Sequence, residues 1–200
     1  MCSGTVGFIY QNKISLGYNN QNSDPDCLGG DVLDLIIRIN KEKGWNVFKE
    51  HSLNLKNVDI TDENIIEKYE KYSSPGNSKI FSDIISTEWL IEMYEGKIQD
   101  YIIDNQFIKE SLYCEYGYII NLDNMKLEYY LGDQEKPQKN NIFGNISIDG
   151  YYPCRLVCSF DILTISEDNY ENIIEKMKKI DETRIDDIEK INLNFNFCIE

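Results

Sequence analysis

The 200-residue chain is 42% apolar and 12% aromatic, far more core-forming material than a disordered chain carries, and supplies a core that needs no disulfide or metal support. Thirty-five acidic against twenty basic side chains leave a formal charge of -15, a field that repels phosphate backbones and anionic lipid; direct nucleic-acid binding is therefore not expected. The N-terminus lacks a basic flank, and no apolar run reaches the roughly 18 residues of a membrane span, so the expected setting is cytoplasmic, without membrane association.

In chain order, Thr5–Tyr10 and Ile14–Tyr18 flank the polar turn Gln11-Asn12-Lys13 and predict a hairpin. Residues 19–30, NNQNSDPDCLGG, are turn formers, and Asp31 follows as a helix cap. Val32, Leu35, Ile36 and Ile39 recur at helical spacing, widened by Leu33 and Ile37, with Gly44 as the stop. A second helix is predicted over 62–72, capped by Thr61 and broken at Ser73–Asn77, and a third over 87–95, carrying Trp89, Leu90 and Met93.

Leu112–Asn121 and Lys126–Leu131 flank Leu122-Asp123-Asn124-Met125 and predict a second hairpin. Gln134–Gly150 reads as a polar loop and Tyr151–Ile165 as strand. A helix capped by Ser166 and running to Ile180 comes next. The final segment alternates Ile191, Leu193, Phe195, Phe197 and Ile199 with polar residues, the period of a half-buried strand. Glu63–Lys68 and Glu171–Lys176 share the string ENIIEK, but no flanking strands match and shared composition explains it. No composition break divides the chain. The expected architecture is α/β of the α+β type: one domain over 1–200, mostly antiparallel sheet built from hairpins, with three or four packed helices.

Three separated segments carry a resemblance. Gly4–Phe8 (GTVGF) and Tyr18–Gly29 (YNNQNSDPDCLG) are similar to the R-G-x-V-G-F and Y-N-H-x-D-S-Y-P-x-G-L-G patterns of a family of uncharacterised proteins scattered through bacteria, fungi and viruses. Glu115–Asp123 with Leu127–Gly132 resembles that family's Y-V-I-D-L-D and L-E-V-Y-x-G pair, and Tyr152-Pro153 its C-terminal element. Tyr18, Asn19, Ser23, Pro25, Leu28 and Gly29 keep the turn skeleton. Ser3, Asn20, Asn22 and Asp24 stand where the pattern has Arg, His, Asp and Tyr, so its ionisable groups are mostly replaced. The resemblance implies architecture rather than an activity.

Among candidate chemical groups, Cys2 supports the sharpest hypothesis. Removal of Met1 would expose an N-terminal cysteine whose amine serves as its own base, the arrangement of N-terminal-nucleophile amidohydrolases, with Asn19, Asn20 and Asn22 as oxyanion donors. A retained Met1 blocks that amine. His51 is the single histidine and reads as a surface or loop residue before a strand; its solitude removes nitrogen-rich metal sites. Cys114, Cys154, Cys158 and Cys198 read as reduced core thiols, with Cys154 and Cys158 on one strand face, and Cys27 as a loop thiol. Asn145-Ile146-Ser147 matches a glycosylation acceptor that has no meaning in a cytosolic chain.

Asp24, Asp26, Asp31 and Asp34 offer carboxylates for a hard cation, but their spacing fits no calcium loop and turn or cap roles account for them; no metal or other cofactor is expected. Gly29-Gly30 before a helix is a faint phosphate-cradle signal, which the neighbouring aspartates oppose.

The expected function is a non-enzymatic regulator or inhibitor that binds a protein partner with a basic surface. Tyr18, Asn19, Asn20, Asn22, Ser23, Asp24 and Asp26 are the candidate binding loop. An acidic face that imitates nucleic acid in a basic groove belongs to the same reading. The alternative is a diverged, inactive or active Cys2 amidohydrolase. Residues 1–60 carry a net -1, 61–125 carry -8 and 126–200 carry -6, which directs the search for an acidic binding face to the helices and loops outside the signature segment.

Overall fold

The computed structural model describes residues 2–58 and 87–183. The predicted helix over 62–72, the alternating segment 191–199 and Cys198 lie outside the described residues. The described part has four α-helices, a mixed five-stranded sheet and a two-stranded sheet, an α+β arrangement.

The chain enters as β1 (Gly4–Tyr10) and returns antiparallel as β2 (Lys13–Asn19). Gln11 and Asn12 between them both have left-handed φ, 51° and 62°, the combination whose twist matches that of the flanking strands. Asp123, from a distant turn, accepts both of their backbone N–H groups at 2.8 and 3.4 Å. A wide π turn, Pro25–Gly29, runs into α1 (Gly30–Glu42), and α2 (Trp45–Asn54) follows after Lys43 in the left-handed conformation. Asn40 of α1 donates to the carbonyls of Ile162 and Ile165 at 2.7 and 2.9 Å and accepts from Trp45 Nε1 at 2.7 Å, tying three segments together.

The short strand β3 (Lys56–Asn57) pairs in parallel with β4 (Asp100–Tyr101), and α3 (Glu88–Tyr94) lies between them in sequence. The second hairpin is β5 (Tyr116–Asn121) and β6 (Lys126–Leu131); the four residues before Tyr116 are turn and coil rather than the strand expected there. Then come β7 (Arg155–Asp161) and α4 (Tyr170–Glu182). The order of the large sheet is β2-β1-β5-β6-β7, with every neighbouring pair antiparallel except β1 and β5. Among the described residues, no helix is long and apolar enough to cross a membrane.

Alternation along the strands sends two side-chain sets to opposite faces. Val6, Phe8, Tyr116, Tyr118, Ile120, Leu127, Tyr129 and Leu131 join the large core shared with α1–α4. Ile9, Leu16, Ile119 and Tyr130 join a smaller cluster with Ile108, Cys114, Phe143 and Cys154, roofed by loops. The outer edge of β2 is closed by the 104–105 loop: Asp104 N donates to Leu16 O at 2.7 Å, and Asn105 bonds both Leu16 N and Ile14 O. This removes an exposed strand edge.

Burial of hydroxyls has a measurable consequence. The buried phenols of Tyr101, Tyr118, Tyr129 and Tyr130 are pushed above their ordinary value near 10, first by desolvation. Tyr94 is pushed up to about 12 by desolvation and by its hydrogen bond to Glu42. The folded state therefore favours the neutral phenol, so this contribution is complete below pH 10 and is lost as pH rises through 10 toward 12. Alkaline titration followed at 295 nm should show these rings ionising only with unfolding. Tyr94→Phe should flatten the fall in urea midpoint between pH 10 and 12.

Candidate functional site

The head of β1 and the tail of β2 are neighbours because Gly4 pairs with Asn19, so the residues preceding β1 meet the loop that follows β2. Ser23 N donates to Cys2 O at 3.3 Å, and Leu28 N donates to Asn22 O at 3.1 Å, folding the loop back over the strand ends. Asn22 sits at a φ of 53°, a left-handed position that asparagine tolerates better than most residues. Asp24, extended, caps the π turn through Oδ1, which accepts from Cys27 N at 3.2 Å. Asp31, expected as the cap of α1, instead occupies its exposed first turn.

The expected site residues thus come together, with most of their polar atoms engaged. Cys2 is half-buried and its Sγ donates to Asp24 Oδ2 at 3.6 Å. Asn19 is buried, and its Nδ2 donates to Gln21 O at 2.6 Å and Ser23 Oγ at 2.7 Å. Tyr18 stands edge-on to Phe107 with centroids 4.6 Å apart and donates to Asn20 Oδ1 at 2.7 Å. Burial, then the proximity of Cys114 and Asp104, pushes its phenol up. Ser23 is fully buried, and its carbonyl accepts from Tyr118 Oη at 3.0 Å. Asn19 is therefore a loop staple rather than an aimed oxyanion donor.

Beneath the loop, Tyr118 stacks on Tyr129 at 5.3 Å, and Tyr116 donates to Asp181 Oδ2 at 2.9 Å. Gly29 and Gly30 owe their presence to rings rather than to phosphate. A Cβ on Gly29 would stand 3.1 Å from the Tyr118 ring, and one on Gly30 would stand 2.5 Å from the Tyr170 hydroxyl.

The electrostatics of the outer surface hold the feature that sequence spacing did not reveal. Helix α4 packs against the π turn, so that Asp26 forms an ion pair with Lys178 at 3.0 Å, and Lys178 also reaches Glu175 at 3.4 Å. The phenol of Tyr170 is pushed up by desolvation and then by Asp34, Glu171, Asp31 and Asp26. The thiol of exposed Cys27 is pushed up by desolvation and then by Asp24, Asp26 and Asp31. Asp31's own carboxyl is raised by desolvation and by Asp34. Carboxylates from the loop, from α1 and from α4 therefore share one surface around Tyr170. Loop and helix acidity, expected as separate questions, are one patch here. Among the described residues, no group of three or more His, Cys, Asp or Glu side chains has the geometry to hold a metal ion.

Two further expectations are corrected. His51 is not in a loop: it lies in the last turn of α2, ahead of β3, half-buried, with Nδ1 3.0 Å from the carbonyl oxygens of both Met93 and Tyr94 at the end of α3. It satisfies helix-end carbonyls. Cys154 and Cys158 do not share a face, because the strand pairing shifts at Tyr129/Tyr130. Leu156 and Cys154 belong to the small cluster, whereas Val157 and Cys158 pack on the large core. One extra residue in the bulge reverses the alternation. Compared with models of protein families, with curated proteins and with solved structures, the chain matches none.

Proposed function

We propose that the protein is a non-enzymatic binding protein that regulates or inhibits a protein partner with a basic surface, through the patch formed by the π turn, α1 and α4. The observation that carries this reading is the packing of α4 on the π turn, where Lys178 pairs with Asp26 at 3.0 Å and the Tyr170 hydroxyl lies against Gly30, among the carboxylates of Asp34, Glu171, Asp31 and Asp26 that push its phenol up. Like charges gathered from three segments work against the fold unless a cation joins them, and among the described residues Lys178 pairs with Asp26 and Glu175. A basic partner would relieve that repulsion and would be drawn to the patch over about one Debye length, roughly 8 Å at physiological ionic strength. The half-buried Tyr170 ring provides an aromatic anchor at its centre. Affinity capture at about 50 mM and at about 300 mM salt tests the reading. A partner held at low salt and released at high salt supports it, and the absence of any salt-sensitive partner leaves the charge as a solubilising surface.

The contact of Cys2 Sγ with Asp24 Oδ2 at 3.6 Å favours a second reading, a diverged N-terminal-nucleophile amidohydrolase. In that chemistry the carboxylate orients the thiol while the freed α-amine of Cys2 takes its proton. Intact-mass analysis with thiol labelling separates the readings: a retained Met1 and a Cys2 inert to a small electrophile remove the hydrolase.

A further inference from the structure

On the face of the sheet opposite the helices, two cysteines from distant parts of the chain meet. Cys114 ends the turn that precedes β5, and Cys154 immediately precedes β7. Both are fully buried. Cys154 Sγ donates to Cys114 O at 3.2 Å and Cys114 Sγ donates to Tyr116 O at 3.5 Å, so the Cys154 sulfur lies directly against the Cys114 backbone. Among the described residues, neither thiol hydrogen-bonds a charged side chain.

The geometry points to Cys114 and Cys154 as a reversible disulfide site, a redox clamp between the segment entering β5 and the segment entering β7. Joining the sulfurs requires them to close to about 2.05 Å, the Cys154 sulfur turning from the Cys114 carbonyl oxygen, 3.2 Å away, toward the Cys114 sulfur. The oxidant is a small-molecule disulfide. One protein thiolate attacks it and expels one small thiol; the second protein thiolate then attacks the mixed disulfide and expels the other. Two protein thiols become one S–S bond, one small disulfide becomes two thiols, and the two protons pass to those leaving thiolates.

Burial pushes the Cys114 thiol well above its ordinary range, so the clamp closes slowly and only when the roof opens. That roof is built from the turns around Ser111 and Gln134, which lie outside regular helix or strand. The clamp also bears on the N-terminal strand: Ser3 Oγ donates to Tyr113 O at 2.6 Å and Glu115 N donates to Ser3 O at 2.9 Å, so the segment that would be locked is the one holding the residue beside Cys2. The inference stands whichever function is correct.

The test uses the full chain incubated with excess oxidised glutathione, then alkylated under denaturing conditions and digested with trypsin without reduction. The expected product is Glu110–Lys126 cross-linked to Asn140–Arg155, separable by reductant and accompanied by a rise in melting temperature of roughly 5 °C or more. Cys114→Ser and Cys154→Ser should each abolish the cross-linked peptide and the rise. The proposal is overturned if Cys114 and Cys154 are recovered alkylated, if they carry glutathione without joining, if the oxidant instead links Cys2 to Cys27, or if the cross-linked protein melts no higher than the reduced one.

Discussion

Replacing Trp89 with alanine is expected to lower stability by about 3–5 kcal/mol, among the largest effects of any single substitution in the described core. The indole is 1% exposed, stacks on Tyr101 with centroids 4.5 Å apart and planes 5° from parallel, and tilts against Phe8 at 6.2 Å. It therefore joins α3, β4 and β1 at one point. Among the described residues its Nε1–H has no hydrogen-bond partner, and it lies where a Cβ on Gly17 would come within 2.8 Å. Glycine in β2 is thus the condition for seating this ring. An unpaired buried N–H opposes folding, so Trp89→Phe should cost much less than alanine, about 1.5 kcal/mol or under, because it removes that donor along with part of the ring. Urea denaturation of both variants checks the ordering. Equal losses would show that the ring's area is not what holds the three elements.

Glu128→Ala is expected to cost about 3 kcal/mol for a different reason. This carboxylate is 6% exposed on the small-cluster face of β6, in register with Ile119. Its Oε1 accepts from Asn121 Nδ2 at 2.8 Å and Asn124 Nδ2 at 3.3 Å, and its Oε2 accepts from Tyr130 Oη at 2.8 Å. Alanine would strand the buried Tyr130 hydroxyl and remove the acceptor shared by half-buried Asn121 and exposed Asn124. Glu128→Gln keeps one acceptor and gives Tyr130 a donor instead, so a smaller loss of about 1 kcal/mol is expected. Chemical denaturation of the two variants beside Tyr130→Phe measures the network. A Glu128→Ala loss no larger than that of Tyr130→Phe would contradict it.

Much of the fold was legible because it rests on local chemistry. Gln11-Asn12 and Asn124-Met125 mark hairpin turns, and the apolar stripe of α1 has its predicted faces, with all of Val32, Leu33, Leu35, Ile36, Ile37 and Ile39 buried. Helix α2 was missed because its inward face is only Trp45, Phe48 and Ser52. A serine in the stripe and an exposed Val47 and Leu53 hide the period. The start of α4 was misplaced for a related reason: Ser166 is not the cap, and Asn169 reaches back to accept from Ser166 N at 2.9 Å before the helix begins at Tyr170. The bulge in β7 follows from pairing with β6, which no local pattern encodes.

At the candidate site, the sequence marked the loop from Tyr18 to Asp26 and, separately, Cys2, and the strand pairing places them side by side. It did not mark Tyr170, Glu171 and Lys178, since nothing local announces that a helix whose Lys178 is 152 residues from Asp26 packs on the π turn. The only available signal was charge, and dividing it by position along the chain separated acids that the fold unites.

The central functional reading is tested most directly at that junction. A variant carrying Asp26→Asn, Asp31→Asn, Asp34→Asn and Glu171→Gln keeps side-chain shape and removes the charge around Tyr170. Wild type and variant would be compared for capture of partners at about 50 mM salt, with the urea midpoint of each recorded as a control for folding. The acidic-patch account predicts an unchanged or raised midpoint together with at least tenfold loss of the salt-sensitive partner. A folded variant that retains the same partner with the same salt dependence would contradict it.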